Sequence, residues 1–226
     1  DKLEDAQTGA IKLKSLNVDI PQQRIEQATS TAHVLGEVVA ERFPYVDQMR
    51  PVSEDYVTLL LNRTWRPALS VTGVGGIPPI ENAGNVLRPG TQLQLSIRTP
   101  PTVNAEVVFE EIKALLESNP PYGATVRFEG DGASGWHSPL LDPWLTETLD
   151  EVSQTWFDQT CMYMGEGGTI PFMGMLGEKF PNAQFMITGV LGPESNAHGP
   201  NEFLHLDMAK KLTGCVAQLI VKFTQR

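Results

Sequence analysis

Several features that mark common classes of function are missing from this sequence. It has two cysteines, Cys161 and Cys215, and neither stands in a Cys-x-x-Cys pair, which excludes a cysteine-based zinc knuckle. No apolar run is long enough to cross a bilayer. The Gly-rich stretches match neither a phosphate loop nor a dinucleotide fingerprint, and there is no Gly-x-Ser-x-Gly elbow of a serine hydrolase.

Positive charge is also scarce: 17 Lys and Arg face 27 Asp and Glu, a net charge of −10. This balance argues against a nucleic-acid backbone as partner. Two cysteines without a pairing pattern are expected to be reduced core thiols, which favours a cytoplasmic protein. The chain starts at Asp1 without a charged-then-apolar signal segment, so we expect an N-terminus that was cut, processed or is otherwise missing from this sequence.

The first part of the chain predicts a helical, polar stretch followed by an α+β unit. Residues 1–63 indicate helices interrupted by proline, and residues 91–98 alternate cleanly, as a strand with one buried face does. The predicted elements are helices over 25–42 and 53–61 (capped by Ser53), strands over 68–72 and 91–98, a helix over 104–118 (capped by Asn104) and a strand over 124–129. Strand, strand, helix, strand is most of a ferredoxin-like unit.

The second part begins with a Gly-rich hinge over 130–135. The predicted elements after it are a helix opened by Asp142 and Pro143, a further helix after the Gly cluster at 165–168, a strand over 184–190 and a last helix over 201–223. This part has too few strands to form a sheet of its own. It therefore predicts a piece of a larger α/β domain.

Few residues offer chemistry. His33 and His205 lie in predicted helical stripes and His137 lies in a predicted loop. These positions favour a structural or surface role for each of the three. His198 lies between a predicted strand end and the last helix, where α/β folds build sites, but one histidine cannot make a zinc site. Glu166 is flanked by glycines and is either a pocket residue or an exposed turn carboxylate.

Arg98, on the polar face of its strand, can hold a substrate carboxylate bidentately or be an ordinary surface arginine.

Three blocks in order resemble the zinc exopeptidase family of carnosine dipeptidase, succinyl-diaminopimelate desuccinylase, acetylornithine deacetylase and carboxypeptidase G (peptidase family M20), and most of all its dipeptidase branch. The blocks are N-V-L-R-P through L-S-I-R at 85–98, G-E-G-G-T-I-P at 165–171 and A-H-G-P-N-E at 197–202. Together with the pattern around them they cover most of the chain. Each block alone is moderately specific, and the three in order are strong.

The resemblance implies a fold and a set of roles. The fold would be α/β, with an incomplete ferredoxin-like lid or dimerisation domain over 1–129, carrying a helical insertion at 1–63, and the C-terminal part of the catalytic domain over 130–226. His198 would bind one of two zinc ions, and Arg98 would grip the substrate carboxylate. Asn85 would contact the substrate or the developing oxyanion. The substrate pocket would be lined by Glu166, Gly167, Gly168 and Thr169.

In such enzymes a metal-activated water attacks the amide bond of a dipeptide or N-acyl amino acid, and a Glu acts as general base. The family's His-x-Asp motif and Glu-Glu pair are missing from their places, since His205-Leu206-Asp207 and Glu110-Glu111 stand in the wrong context. We therefore expect a fragment that begins inside the lid, is inactive alone and forms a homodimer through the lid. The alternatives are a non-catalytic dimerisation or ligand-binding module and a small-ligand sensor built on the lid.

Overall fold

The structure, a computed structural model, describes residues 1–167 and 170–226. Over these residues it combines α-helices with a two-stranded antiparallel sheet, which confirms the mixed α/β class. The elements are α1 (Gln22–Leu35), α2 (Val38–Glu41), α3 (Tyr56–Thr64), β1 (Ala68–Gly75), β2 (Gln92–Arg98), α4 (Ala105–Glu117), α5 (Pro143–Phe157), α6 (Pro171–Lys179) and α7 (Leu206–Thr224). No described helix is both long and apolar enough for a membrane span.

The chain divides into two compact units. The first comprises residues 1–137 and 164–175, and the second comprises residues 138–163 and 176–226. The segment with Glu166 and Gly167 thus belongs with the first unit although it follows α5 in sequence. The assignment of 1–129 to a lid and 130–226 to a catalytic domain stays a prediction.

The main core of the first unit lies between the hairpin, α4 and the N-terminal segment. β1 pairs antiparallel with β2 from Ala68 opposite Arg98 to Gly75 opposite Gln92, with an irregularity between Val71 and Gly73. The buried residues of this core are Val103, Val108 and Ile112, together with Leu3, Ile11 and Leu16. The predicted helical stretch over 1–63 is therefore α-helical only from Gln22 onward, because apolar residues before it are used to cover α4.

A second, smaller core holds the first three helices together. Its buried side chains are Ala32 from α1, Val39 from α2 and Leu60 from α3. α3 is capped by Asp55, whose carboxylate accepts hydrogen bonds from the N–H groups of Val57 and Thr58, so the predicted cap at Ser53 was wrong. The Ser53 hydroxyl instead accepts a hydrogen bond from the Asp55 N–H at 3.1 Å.

The first of two predicted strands that do not form is at 124–129, which is irregular in the structure. Here the Phe128 N–H donates to the Glu117 carboxylate at 2.8 Å, and the Phe128 ring packs against Phe109 with 5.1 Å between centroids. Binding to α4 thus replaces pairing with a strand.

The segment over 184–190 is likewise not a strand. A strand needs a neighbour for its backbone groups, and the described part of the second unit contains no other strand.

Two long helices, α5 and α7, form the centre of the second unit. Leu145, Leu149 and Val152 of α5 are buried, as is Cys215 of α7, whose Sγ lies 3.7 Å from the Val152 carbonyl oxygen. The Trp156 indole packs where a side chain on Gly214 would stand and donates to Gln218 at 3.0 Å. α7 begins at Leu206, later than predicted, because the His205 imidazole caps it by accepting from the Met208 N–H at 3.2 Å.

Candidate functional site

Two of the predicted site residues, Arg98 and Gly167, come together in the first unit. A Cβ atom added to Gly167 would lie 2.5 Å from Nη1 of Arg98 and 2.6 Å from the carbonyl oxygen of Arg63. The Arg98 guanidinium therefore lies directly against the glycine loop, beside the carboxyl end of α3. Arg98 itself is exposed, so its guanidinium is open to a ligand.

The connection between α3 and the hairpin explains this meeting. α3 ends at Thr64, shortly before Pro67, as expected from the restriction that proline puts on the residue before it. β1 starts at Ala68, and Ala68 is paired with Arg98 at the end of β2. The end of β2 is thereby held near the end of α3 by a few residues of chain.

The loop before Gly167 touches the same helix end. A Cβ added to Gly165 would lie 2.9 Å from both Cβ and Cγ2 of Thr64. Glu166 between these glycines is exposed, and it has interactions of its own. Gly168 and Thr169, predicted to line the same pocket, lie outside the described residues.

Asn85 lies in a different part of the first unit. It belongs to the exposed connection between β1 and β2, which closes where Gly76 meets the carbonyl group of Gly90. That closure is at the opposite end of the hairpin from Arg98, and seven residues of β2 separate the two ends. Strand geometry makes this length roughly 20 Å. The predicted contact of Asn85 with substrate stays a prediction.

A histidine that the sequence assigns to a structural role packs against the end of α3. The His137 ring lies edge-on to Trp65 at 5.2 Å between centroids, and its Nε2 accepts a hydrogen bond from Nε of Arg24 at 3.2 Å. An accepting Nε2 carries no proton, so the ring is neutral here. Burial first, and the positive charge of Arg24 second, hold the pKa of His137 below its ordinary 6.5.

His198 lies in the second unit, in a tight loop closed by local hydrogen bonds. The Phe203 N–H donates to the carbonyl oxygen of the buried Ser195 at 3.2 Å, and the Asn196 amide donates to the Pro200 carbonyl oxygen at 2.6 Å. The His198 N–H donates to the Glu202 carboxylate at 3.1 Å. The imidazole is left on the exposed side of the loop.

The backbone of this loop has an uncommon conformation. Glu194, Asn196, His198 and Asn201 all have positive φ, with 62° at His198. Non-glycine residues in this region cost about 1–3 kcal/mol when they are strained, and such residues cluster at functional sites. His198 thus has a backbone conformation that is uncommon for a residue other than glycine.

The residues described do not make a metal centre by themselves. No group of three or more His, Cys, Asp or Glu side chains that could hold an ion occurs within 1–167 and 170–226. A structural or catalytic zinc site needs at least three protein ligands. The assignment of His198 as a metal ligand stays a prediction.

No protein-family model matches the chain. A curated cysteinylglycine-S-conjugate dipeptidase of Corynebacterium striatum is 28% identical over 152 residues, which are 64% of this chain and 33% of that protein. The chain spans about a third of that relative.

Three solved structures similar to this chain carry the names of peptidases. Human carnosine dipeptidase 1 matches with a TM-score of 0.69 and 17% identity, covering 100% of this chain and 47% of that one. The di-peptidase Dug1p of Saccharomyces cerevisiae matches with a TM-score of 0.69 and 18% identity, covering 100% and 47%. The M20 family metallo-carboxypeptidase Sso-CP2 of Sulfolobus solfataricus matches with a TM-score of 0.67 and 16% identity, covering 96% and 49%.

The chain has the fold of the M20 metallopeptidases. Together with the curated dipeptidase, these matches confirm the resemblance to the dipeptidase branch that the three sequence blocks predict. The chain corresponds to about half the length of these three solved structures. Sequence reasoning missed the carboxyl end of α3, where Arg63 and Thr64 lie against the glycine loop. No local pattern marks a helix end as part of a site.

Proposed function

We propose that this chain is part of a metal-dependent exopeptidase that hydrolyses the amide bond of a dipeptide or N-acyl amino acid. The observation that carries the proposal is the exposed Arg98 guanidinium, held against the side-chain-free backbone of Gly167. A guanidinium binds a carboxylate through two parallel hydrogen bonds, and the missing side chain of Gly167 leaves the space in which this guanidinium lies. A substrate with a free carboxylate fits this arrangement.

His198 is the proposed protein ligand to a divalent metal, with zinc the preferred ion of the two-metal class. Its exposed imidazole on a loop with positive-φ backbone suits that role, and the remaining ligands and the general base have to come from other residues. Such a metal supplies an activated water and a Lewis acid. The residues of this chain would bind and orient the substrate, with Arg98 on its carboxylate, and Asn85 and the 166–169 segment at its other groups.

The whole protein is proposed to be a homodimer paired through the hairpin region. Val71, Val74 and Leu93 on the two strands are 56%, 57% and 58% exposed, and apolar strand surfaces of this kind are normally covered. Both cysteines are free, which suits the reducing cytoplasm as its location.

A comparison of two proteins tests the proposal: this chain alone and the full product of its gene. Each is assayed with a divalent metal for hydrolysis of dipeptides, including a cysteinylglycine S-conjugate, and of N-acyl amino acids. We expect hydrolysis by the full product and none by residues 1–226 alone. Failure of the full product to hydrolyse any of these substrates would favour the alternative, a non-catalytic dimerisation or ligand-binding module.

Arg98→Lys tests the site itself. Lysine keeps the charge but loses the planar pair of donors. In the full product we expect a higher KM for substrates with a free carboxylate, with Arg66→Lys as the control. Arg66 is exposed, and its guanidinium donates to Asn62 at 2.8 Å within one helical turn. An unchanged KM in Arg98→Lys contradicts the proposed role of Arg98.

A further inference from the structure

The carboxyl end of α3 holds the glycine loop through a side chain of fixed conformation. The Thr64 hydroxyl donates to the Leu60 carbonyl oxygen at 2.9 Å, and Leu60 is 2% exposed. This bond sets χ1 of Thr64 and leaves its methyl group facing Gly165, where a Cβ would stand 2.9 Å from Cγ2. The methyl group therefore limits how far Gly165 can approach α3.

The Gly167 position is limited by space rather than by backbone conformation. Gly167 is not among the glycines with positive φ, so other residues could adopt its conformation. The obstacle is the pair of atoms around its missing Cβ, Nη1 of Arg98 at 2.5 Å and the backbone oxygen of Arg63 at 2.6 Å. The backbone oxygen belongs to a helix and cannot move easily, whereas the guanidinium can be displaced.

Electrostatics also favours the position of the Arg98 guanidinium at the carboxyl end of α3. The Arg63 carbonyl belongs to the last turn of α3, where carbonyl groups have no partner within the helix. The carboxyl end of a helix carries partial negative charge and attracts cations. The Arg98 guanidinium lies at this end, since Nη1 and the Arg63 oxygen surround the same point.

We infer that the carboxyl end of α3, through the Arg63 carbonyl and the Thr64 methyl group, positions the Gly165–Gly167 loop and the Arg98 guanidinium, and so determines the preference for substrates with a free carboxylate. Arg63 and Thr64 act through Arg98 and are positioning residues. The inference rests on the proposed function of Arg98 as the carboxylate-binding group.

The first test is Gly167→Ala in the full product of the gene. The probes are a dipeptide with a free carboxylate and the same dipeptide amidated at its C-terminus. The added methyl group has to move the loop away from the Arg63 oxygen and push the guanidinium aside, which should raise KM for the free-carboxylate substrate about 10- to 100-fold, the range expected for losing charge-assisted hydrogen bonds. The amide offers no carboxylate to Arg98, so its KM should rise less, and the ratio of kcat/KM for the free-carboxylate substrate to that for the amide should fall.

Gly174→Ala is the matched control for this variant. It adds the same methyl group in the same unit, where a Cβ would lie 3.9 Å from the nearest atom of Trp136, an ordinary contact distance. It should leave the ratio of kcat/KM for the two substrates unchanged.

A pair of changes at Thr64 gives a second test that adds no atoms to the loop. Thr64→Val keeps the shape that faces Gly165 and removes the hydroxyl, whereas Thr64→Ser keeps the hydroxyl and removes the methyl group. If the methyl group positions the loop, Thr64→Ser should lose more of the preference for the free carboxylate than Thr64→Val. This ranking decides the matter if Gly167→Ala fails to fold.

The outcomes separate the inference from the function on which it rests. If the unmutated full product hydrolyses neither probe, the proposed function fails and the inference fails with it. If it prefers the free carboxylate, but Gly167→Ala and Thr64→Ser keep that preference or lower kcat equally on both probes, the inference is overturned and the proposed function stands. If the variants lose the preference for the free carboxylate without an equal loss of kcat on both probes, the result supports the inference and the proposed function.

Discussion

Replacing Leu60 by alanine should open one of the two hydrophobic clusters of the first unit and leave the other closed. The Leu60 side chain is 2% exposed and packs with buried Ala32 and Val39. Removing a buried leucine costs about 2–5 kcal/mol. Amide exchange in α1 and α3 should therefore accelerate roughly 30-fold at the lower end of that range, since about 1.4 kcal/mol corresponds to a factor of ten.

Hydrogen exchange followed by NMR or mass spectrometry measures this effect helix by helix. The main core, around Val108 and Ile112 of α4, shares no buried residue with the smaller core around Leu60, so exchange in α4 should not change. Ile112→Ala, at a residue 4% exposed, is the reciprocal control and should accelerate α4 but not α3. If Leu60→Ala accelerates α4 as much as α3, the first unit opens as one cooperative body and the division into two clusters is refuted.

Three further predictions concern pH, capping and thiols. Because the folded-state pKa of His137 lies below 6.5, the unfolded chain binds more protons below that pH, so stability should fall as the pH drops beneath it. His137→Gln should reduce the dependence of the urea midpoint on pH, measured over about pH 5–8. An unchanged dependence would contradict the assignment of this effect to His137. Asn104→Ala removes the acceptor of two N–H groups at 2.9 and 3.2 Å and should cost about 1 kcal/mol in urea denaturation, whereas Asn104→Asp should cost little. Burial raises the pKa of both thiols, so a thiol reagent should label them slowly at neutral pH. The half-buried Cys161 should react before the buried Cys215, and faster labelling of Cys215 would contradict its burial.

Elements that depend on local interactions could be predicted from the sequence. Asn104 caps α4 as expected, because the cap bonds reach only the next three residues. The alternation in β2 correctly indicates a strand, although of its apolar residues Leu95 and Ile97 pack against the core and Leu93 remains 58% exposed. The face is buried only where α4 and the N-terminal segment cover it.

Elements that depend on a distant partner could not be predicted. The residues at 184–190 have strand-like composition, but a strand forms only where another offers its backbone groups. The resemblance singled out Arg98 and the glycine loop as site residues, and the structure brings Arg98 and Gly167 together. The role of Thr64 could not be foreseen, because its contact with Gly165 joins parts of the chain far apart in sequence.

The count of bound metal in the full gene product tests the central claim most directly. Mass spectrometry of metals in the purified protein should find two divalent ions per chain, as in two-metal hydrolases. His198→Gln should lose one ion and the hydrolytic activity, while His33→Gln, at an exposed histidine of α1, should keep both. Retention of the full metal content and activity in His198→Gln would contradict the account.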